Sequence, residues 1–252
     1  MPHSLILAFD GARATITLNR PDRHNALAPD DLARFVALLD EVEDRPEVRV
    51  LVVTGTGDRT FCAGFDIAAL AAERPDDNPF VRLVDRLAAV ARPSICALNG
   101  SVYGGGAEIA LACDLRIGVE GMRMFVPAAR LGLHYPVAGL KRYVQRLGLG
   151  PAKRLLLAGE TFTARELLRV GYLDYLVAPG ELAERTDALA RDIAGLAPLA
   201  VGGMKRTLDA IAGGALDEAA AEAAVRACFE SEDFREGQAA HAERRRPRFR
   251  GR

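Results

Sequence analysis

The chain holds little cysteine, and what it holds is scattered. Cys62, Cys96, Cys113 and Cys228 form no C-x-x-C pair, which speaks against zinc-ribbon and dithiol chemistry. Each lies in an apolar context and reads as a small buried hydrophobe. Histidine is equally sparse: His3, His24, His134 and His241 stand at no ligand spacing, so no metal site is expected. No apolar run approaches the roughly 18–20 residues that cross a bilayer. The opening MPHSLILAFDG has too short an apolar run and no basic lead-in for a secretory signal. A reducing cytoplasm is the expected setting. Neither sign of charge dominates: 33 Lys+Arg against 34 Asp+Glu leave a net −1. Such a surface has no gross attraction for nucleic acid or an anionic membrane. Nucleotide and hydrolase signatures are missing as well. There is no G-x-x-x-x-G-K-[ST], no G-x-G-x-x-G followed by an acid, and no G-x-S-x-G.

What is present is alternation. ATITLN (14–19) alternates as a half-buried strand. VRVLVVTG (48–55) and SICALNG (94–100) are apolar on both faces, as buried parallel strands are. Between them, PDDLARFVALLDEVED (29–44) and PFVRLVDRLAAVARP (79–93) carry the 3.6-residue period of amphipathic helices. A helix is expected from about residue 105, then DLRIGV and YLDYLV as strands. Strand–helix alternation predicts an α/β fold with parallel pairing. From residue 180 to 243 the texture is helical, broken at Pro198 and at Gly213–Gly214.

Two stretches carry chemistry. In SVYGGGAEIALACDL (101–115), three glycines lead into an apolar helix with Glu108 in its first turn. The first N–H groups of a helix have no intrahelical partner, and the helix dipole there favours negative charge. The same residues would also serve as a plain turn ahead of a core helix. Upstream, GTGDRTFCAGFDI (55–67) likewise follows a buried strand and is expected to turn through Gly64 into a short helix. Two such turns offer two N–H donors, the number that an oxyanion hole uses.

These stretches resemble the crotonase superfamily, the enoyl-CoA hydratase/isomerase family. NRPDRHNAL (19–27), FCAGFDI (61–67), NGSVYGGGAEIALACDLRI (99–117) and SEDFREGQAAHAERRRPRFRG (231–251) match its motifs in order. The resemblance implies a ββα spiral core over residues 1–195 and a helical C-terminal trimerisation region over 196–252. It implies an acyl-CoA thioester as substrate, an enolate intermediate, and a homotrimer or a hexamer built as a dimer of trimers. No separate cofactor, nucleic acid or membrane partner is implied, because CoA travels with the substrate. By position, the oxyanion donors would be the amides of Phe65 and Gly105, with Glu108 as the proton carrier. CoA would be lined by Arg23, His24, Ala26, Ala63, Asp66 and Ile67. Phe249 would stack near the adenine, of this subunit or a neighbouring one, and the six arginines of 244–252 would either reach phosphate or form a solvated terminus.

One departure matters. Hydratases of the family carry a second glutamate twenty positions after the first, where this chain has Ala128. LGLHYPVAGL (131–140) resembles instead the methylmalonyl-CoA decarboxylase branch, where a tyrosine at the place of Tyr135 orients a substrate carboxylate. That branch has histidine where this chain has Phe65. Three readings stay open: a hydratase/isomerase in the broad sense, a 2-carboxyacyl-CoA decarboxylase, and a silent acyl-CoA-binding protein. His134 reads as an exposed neighbour, and Asp114 as an organiser of local backbone.

Overall fold

A computed structural model describes residues 3–65 and 78–252. The buried strands predicted from sequence form the middle of a six-stranded sheet. Its order is β1 (Leu5–Asp10), β2 (Arg13–Leu18), β3 (Val50–Gly55), β5 (Ser94–Leu98), β7 (Leu115–Val119) and β10 (Tyr175–Val177). β1 and β2 form an antiparallel hairpin, and every later pairing in this sheet is parallel. β3 and β5 are almost wholly buried, as strands covered on both faces must be.

A second sheet is built from strands too short to show a period. Its order is β4 (Thr60–Cys62), β6 (Ser101–Tyr103), β8 (Arg123–Phe125) and β9 (Phe162–Thr163). The two sheets share one rhythm. β3–β4, β5–β6 and β7–β8 each give one strand to either sheet. Helices α2 (Pro79–Ala88), α3 (Gly105–Ala112) and, beyond a short 3-10 turn, α4 (Val137–Leu147) follow these pairs. This is a ββα spiral. α1 (Pro29–Glu43) buries Leu32, Phe35, Leu38, Leu39 and Val42, and packs on α2. α2 ends at Ala88, sooner than its apolar period suggests, because the Ala89 amide closes the last turn on Asp85 and Leu87.

Helices α5 (Leu149–Leu156) and α6 (Ala164–Arg169) lead to β10. α7 (Leu182–Ala194) then lies on β3, β5 and β7. α8 (Pro198–Gly213) and α9 (Glu218–Glu230) pack on each other, and α10 (Glu232–Ala242) precedes the tail. The tail is fastened at several points. The Arg49 guanidinium donates to the Phe249 carbonyl at 2.6 Å, and Asp233 accepts the Arg250 and Gly251 amides. Cys62, Cys96 and Cys113 are buried as expected, but Cys228 is only half-buried, because α9 has no fully buried face.

One buried charge holds the third strand pair to its neighbours. Arg116 on β7, 1% exposed, donates to the carbonyls of Tyr172 and Cys113 and pairs with Asp174 at 2.7 Å. Removing one partner of such a buried pair strands the others. Arg116→Met should therefore lower unfolding free energy by about 3 kcal/mol, read by urea denaturation. A loss below about 1 kcal/mol would show that the pair contributes little.

Candidate active site

The site begins with an unusual loop. His24 and Asn25 both adopt left-handed backbone, with φ of 53° and 54°. For residues other than glycine this conformation is costly and needs outside support. Asn25 supplies that support from within. Its side chain, 1% exposed, donates to the carbonyls of Thr56 and Thr60 and accepts the Arg20 amide. His24 Nδ1 lies 3.0 Å from the Thr60 hydroxyl. The loop is thereby stitched to β4 and the turn before it. The Ala63 amide donates to the His24 carbonyl, and the Leu27 amide to the Gly64 carbonyl, both at 2.9 Å. Four of the expected CoA-lining residues are thus brought together: Arg23 and His24 are exposed, Ala26 and Ala63 half-buried.

The two glycine-bearing turns touch. Gly64 has φ of +92°, and a methyl group added to it would lie 2.8 Å from the Gly105 amide nitrogen. Only glycine fits that conformation and that approach. Phe65 follows immediately, bridged to Leu27. Gly105 opens α3, as the sequence predicted. Among the described residues, neither the Phe65 nor the Gly105 amide has a recorded acceptor. The rings of Phe65 and Phe80 sit 6.3 Å apart, and Phe80 lies against Gly105. Among the described residues, then, these two N–H groups stand without an acceptor beside an apolar wall.

Glu108 lies one turn into α3 and is fully buried. Its Oε1 accepts from Arg142 Nη1 at 2.7 Å, and the other arm of that guanidinium pairs with Asp85 on α2. Oε2 has no partner, and neither do the buried hydroxyls of Tyr135 and Tyr143. The two tyrosine rings meet edge to face at 5.7 Å. Burial pushes the Glu108 carboxyl above its ordinary value. The Tyr135 hydroxyl, near enough to favour the ionised form though not in hydrogen-bond geometry, and the Arg142 charge pull it back, and Asp85 adds a small upward push. Burial also raises both tyrosines, so they are neutral donors at neutral pH. Gly139, near the start of α4, makes room for this cluster. A methyl group there would lie 2.4 Å from the Tyr135 ring and 2.9 Å from Glu108 Oε1. Arg142, Asp85, Tyr143 and Gly139 were not among the residues singled out from sequence. Arg142 stands 34 positions from Glu108, and the only cue was a cation inside an amphipathic helix.

The remaining expectations divide. Ala128 is buried near the glycine turn: the Gly104 amide donates to Phe125, and Pro127 faces Gly104. No carboxylate stands there. His134 is exposed, its Nδ1 2.8 Å from the Tyr135 carbonyl. Asp114 accepts the Ser94 amide and hydroxyl and pairs with Lys205, an organising role. Phe249 does not join the site within this chain. It lines a cavity of about 400 Å³ among α8, α9 and α10, with Phe234 and Cys228, because the tail folds back on α10. Nor is the tail a solvated end with free cations throughout. Arg245 pairs with Glu236 and Glu243, and Arg252 with Glu232. Asp66 and Ile67 lie outside the described residues, as does the short helix expected after Gly64.

Comparison with known proteins agrees with this geometry. The enoyl-CoA hydratase/isomerase family matches residues 9–252. A short-chain-enoyl-CoA hydratase of Clostridium acetobutylicum is 32% identical, over 97% of this chain and 96% of its own. A crotonyl-CoA hydratase of Syntrophomonas wolfei is 34% identical, over 98% and 97%. The crystal structure of an enoyl-CoA hydratase from Bacillus anthracis superposes with a TM-score of 0.90 at 26% identity, covering 99% of this chain and all of that one. The crotonase-type spiral, the paired turns and these matches together make the chain a member of the enoyl-CoA hydratase/isomerase family, an enzyme acting on acyl-CoA.

Proposed function

We propose that the chain stabilises a thioester enolate between the Phe65 and Gly105 amides, with Glu108 as its one proton-carrying carboxylate. The close approach of Gly64 to the Gly105 nitrogen carries this reading. It supports both donors lying on one wall, with the acid a single helical turn from Gly105. In the forward step Glu108 Oε2 takes a proton from carbon. The C–H pair moves into the thioester, and its carbonyl oxygen becomes the enolate oxygen held by the two amides. Returning the proton at another carbon isomerises the double bond, and atoms and charge balance. Preorganised donors of this kind account for about 10²–10³-fold in rate each. Hydration asks for more, because a water must be held and deprotonated while carbon is protonated. With Ala128 in place of a second acid, one-carboxylate chemistry is favoured over fast hydration.

A second reading rests on Tyr135. Its buried hydroxyl without a partner is a donor available to a substrate carboxylate. Loss of CO₂ from a 2-carboxyacyl-CoA breaks a C–C bond and leaves its electron pair as the same enolate, with no base required.

The nucleotide end of CoA would lie along Arg23, His24, Ala26 and Ala63, together with Asp66 and Ile67. CoA is part of the substrate, and no further cofactor is proposed. Among the described residues no helix is long and apolar enough to cross a membrane. We place the protein in the cytoplasm, in keeping with its free thiols, and in acyl-chain metabolism. We also propose a trimer or a hexamer. Met204, Leu208 and Ile211 of α8, and Val225 and Phe229 of α9, are exposed apolar side chains that assembly would cover.

A panel of acyl-CoA thioesters with product mass detection tests the reaction. Enoyl-CoA isomers should interconvert faster than crotonyl-CoA is hydrated, and CO₂ from methylmalonyl-CoA would establish the second reading in its place. Binding without turnover on any thioester would leave a silent acyl-CoA-binding protein. On whichever substrate turns over through proton transfer, Glu108→Gln should cut kcat by about 10²–10⁴-fold. An unchanged kcat removes Glu108 as the carrier. Gly64→Ala should cost about 10²-fold or more in kcat by displacing the Gly105 amide, while circular dichroism reports an intact fold. A kcat within twofold of wild type would show that the two turns do not act together.

A further inference from the structure

The Glu108 cluster holds more than an acid. A carboxylate has two oxygens, and here they are unequal. Oε1 is held at 2.7 Å by Arg142 Nη1, whereas Oε2 is buried without a partner. Arg142 is itself mostly buried, with 14% of its side chain exposed, and its second arm reaches the half-exposed Asp85. One planar fork thus bridges a buried acid on α3 to a surface acid on α2, from a base on α4. A guanidinium presents its donors in fixed directions, so pinning one arm on Asp85 sets where the other arm points. The unpartnered hydroxyls of Tyr135 and Tyr143 occupy the same cluster as Oε2.

Resting on the enolate reading above, we infer that Arg142 is a positioning residue for Glu108: its fork, held by Asp85, occupies Oε1 and leaves Oε2 as the atom through which the proton passes. The consequence for charge has a definite sign. Burial by itself disfavours the ionised, basic form of Glu108. The adjacent cation favours the ionised form, so removing it raises the pH at which Glu108 ionises. Among the described residues no other group facing Glu108 brings a positive charge, although the Tyr135 hydroxyl also favours the ionised form. Asp85 on α2 is an anion and pushes the same way as burial. Tyr135 and Tyr143 are neutral. Tyr172 donates its hydroxyl to the Ala107 carbonyl on α3 itself. The Cys62 thiol, on β4 beneath α3, is pushed up to about 12 and carries no charge.

The test needs no substrate. Infrared difference spectra of the whole chain, titrated with pH, report the protonated carboxyl of Glu108 as the band that Glu108→Gln abolishes. In Arg142→Gln that band should persist to about 1–3 pH units higher than in wild type. An unchanged midpoint overturns the inference, whether or not any thioester is turned over. On a turned-over substrate, the acidic limb of kcat/KM should move upward by the same interval. Arg142→Lys keeps a charge but not a fork. It should hold the midpoint near wild type yet lower kcat, and full recovery of kcat would refute the selection of Oε2. Should Arg142→Gln fail to fold, Asp85→Asn at the surface loosens the same fork with the cation retained. It should lower kcat severalfold at constant KM, and an unaltered kcat would overturn the bridging role.

Discussion

Everything in the site depends on one close approach of backbone to backbone. The turn at Gly64 and the start of α3 at Gly105 come so near that any side chain on Gly64 would strike an amide nitrogen. That contact belongs to neither sheet alone. It arises because successive ββα units stack, so the turn after β4 lies over the turn after β6. Each unit leaves a helix or turn start with spare N–H groups. Stacking two of them brings the turn at Gly64 against the start of α3 at Gly105.

A buried carboxylate next to that wall has to be managed. Glu108 is fully buried, and the cost of charging it there favours its neutral form. The structure answers with Arg142, an arginine that spans from the interior to Asp85 at the surface. Gly139 supplies the room, since Tyr135 and Glu108 occupy the volume a side chain would take. The result is a cluster whose unmet hydrogen-bonding capacity is concentrated at Oε2 and two phenol hydroxyls. Elsewhere the described side chains leave only Arg13 Nε buried and unpaired. Unmet polar groups are costly to bury, and their concentration here marks where a ligand or water would be bound.

Much of this was legible in the sequence, for identifiable reasons. Strands buried on both faces announce themselves as continuous apolar runs, and β3 and β5 did so. Amphipathic helices keep a period, and α1 and α2 were visible from theirs. The glycines and Glu108 stood out because glycine beside a helix start is costly unless close approach is needed. The three-residue strands β4, β6 and β8 carry no period, so the second sheet came only with the family resemblance. Arg142 and Asp85 were hidden because each reads as an ordinary polar position on its own helix. Only the packing of α2, α3 and α4 brings them to Glu108. The tail that carries Phe249 closes on Asp233 and Glu236, a pairing that no local pattern announces.

The central claim is that both amides grip one thioester oxygen. The most direct measurement is the carbonyl stretch of an isotope-edited acyl-CoA thioester, recorded free and bound to the whole chain. Two donors on that oxygen should shift the stretch to lower frequency on binding, and the shift should shrink in Gly64→Ala. A bound carbonyl that vibrates as it does in water would contradict the account.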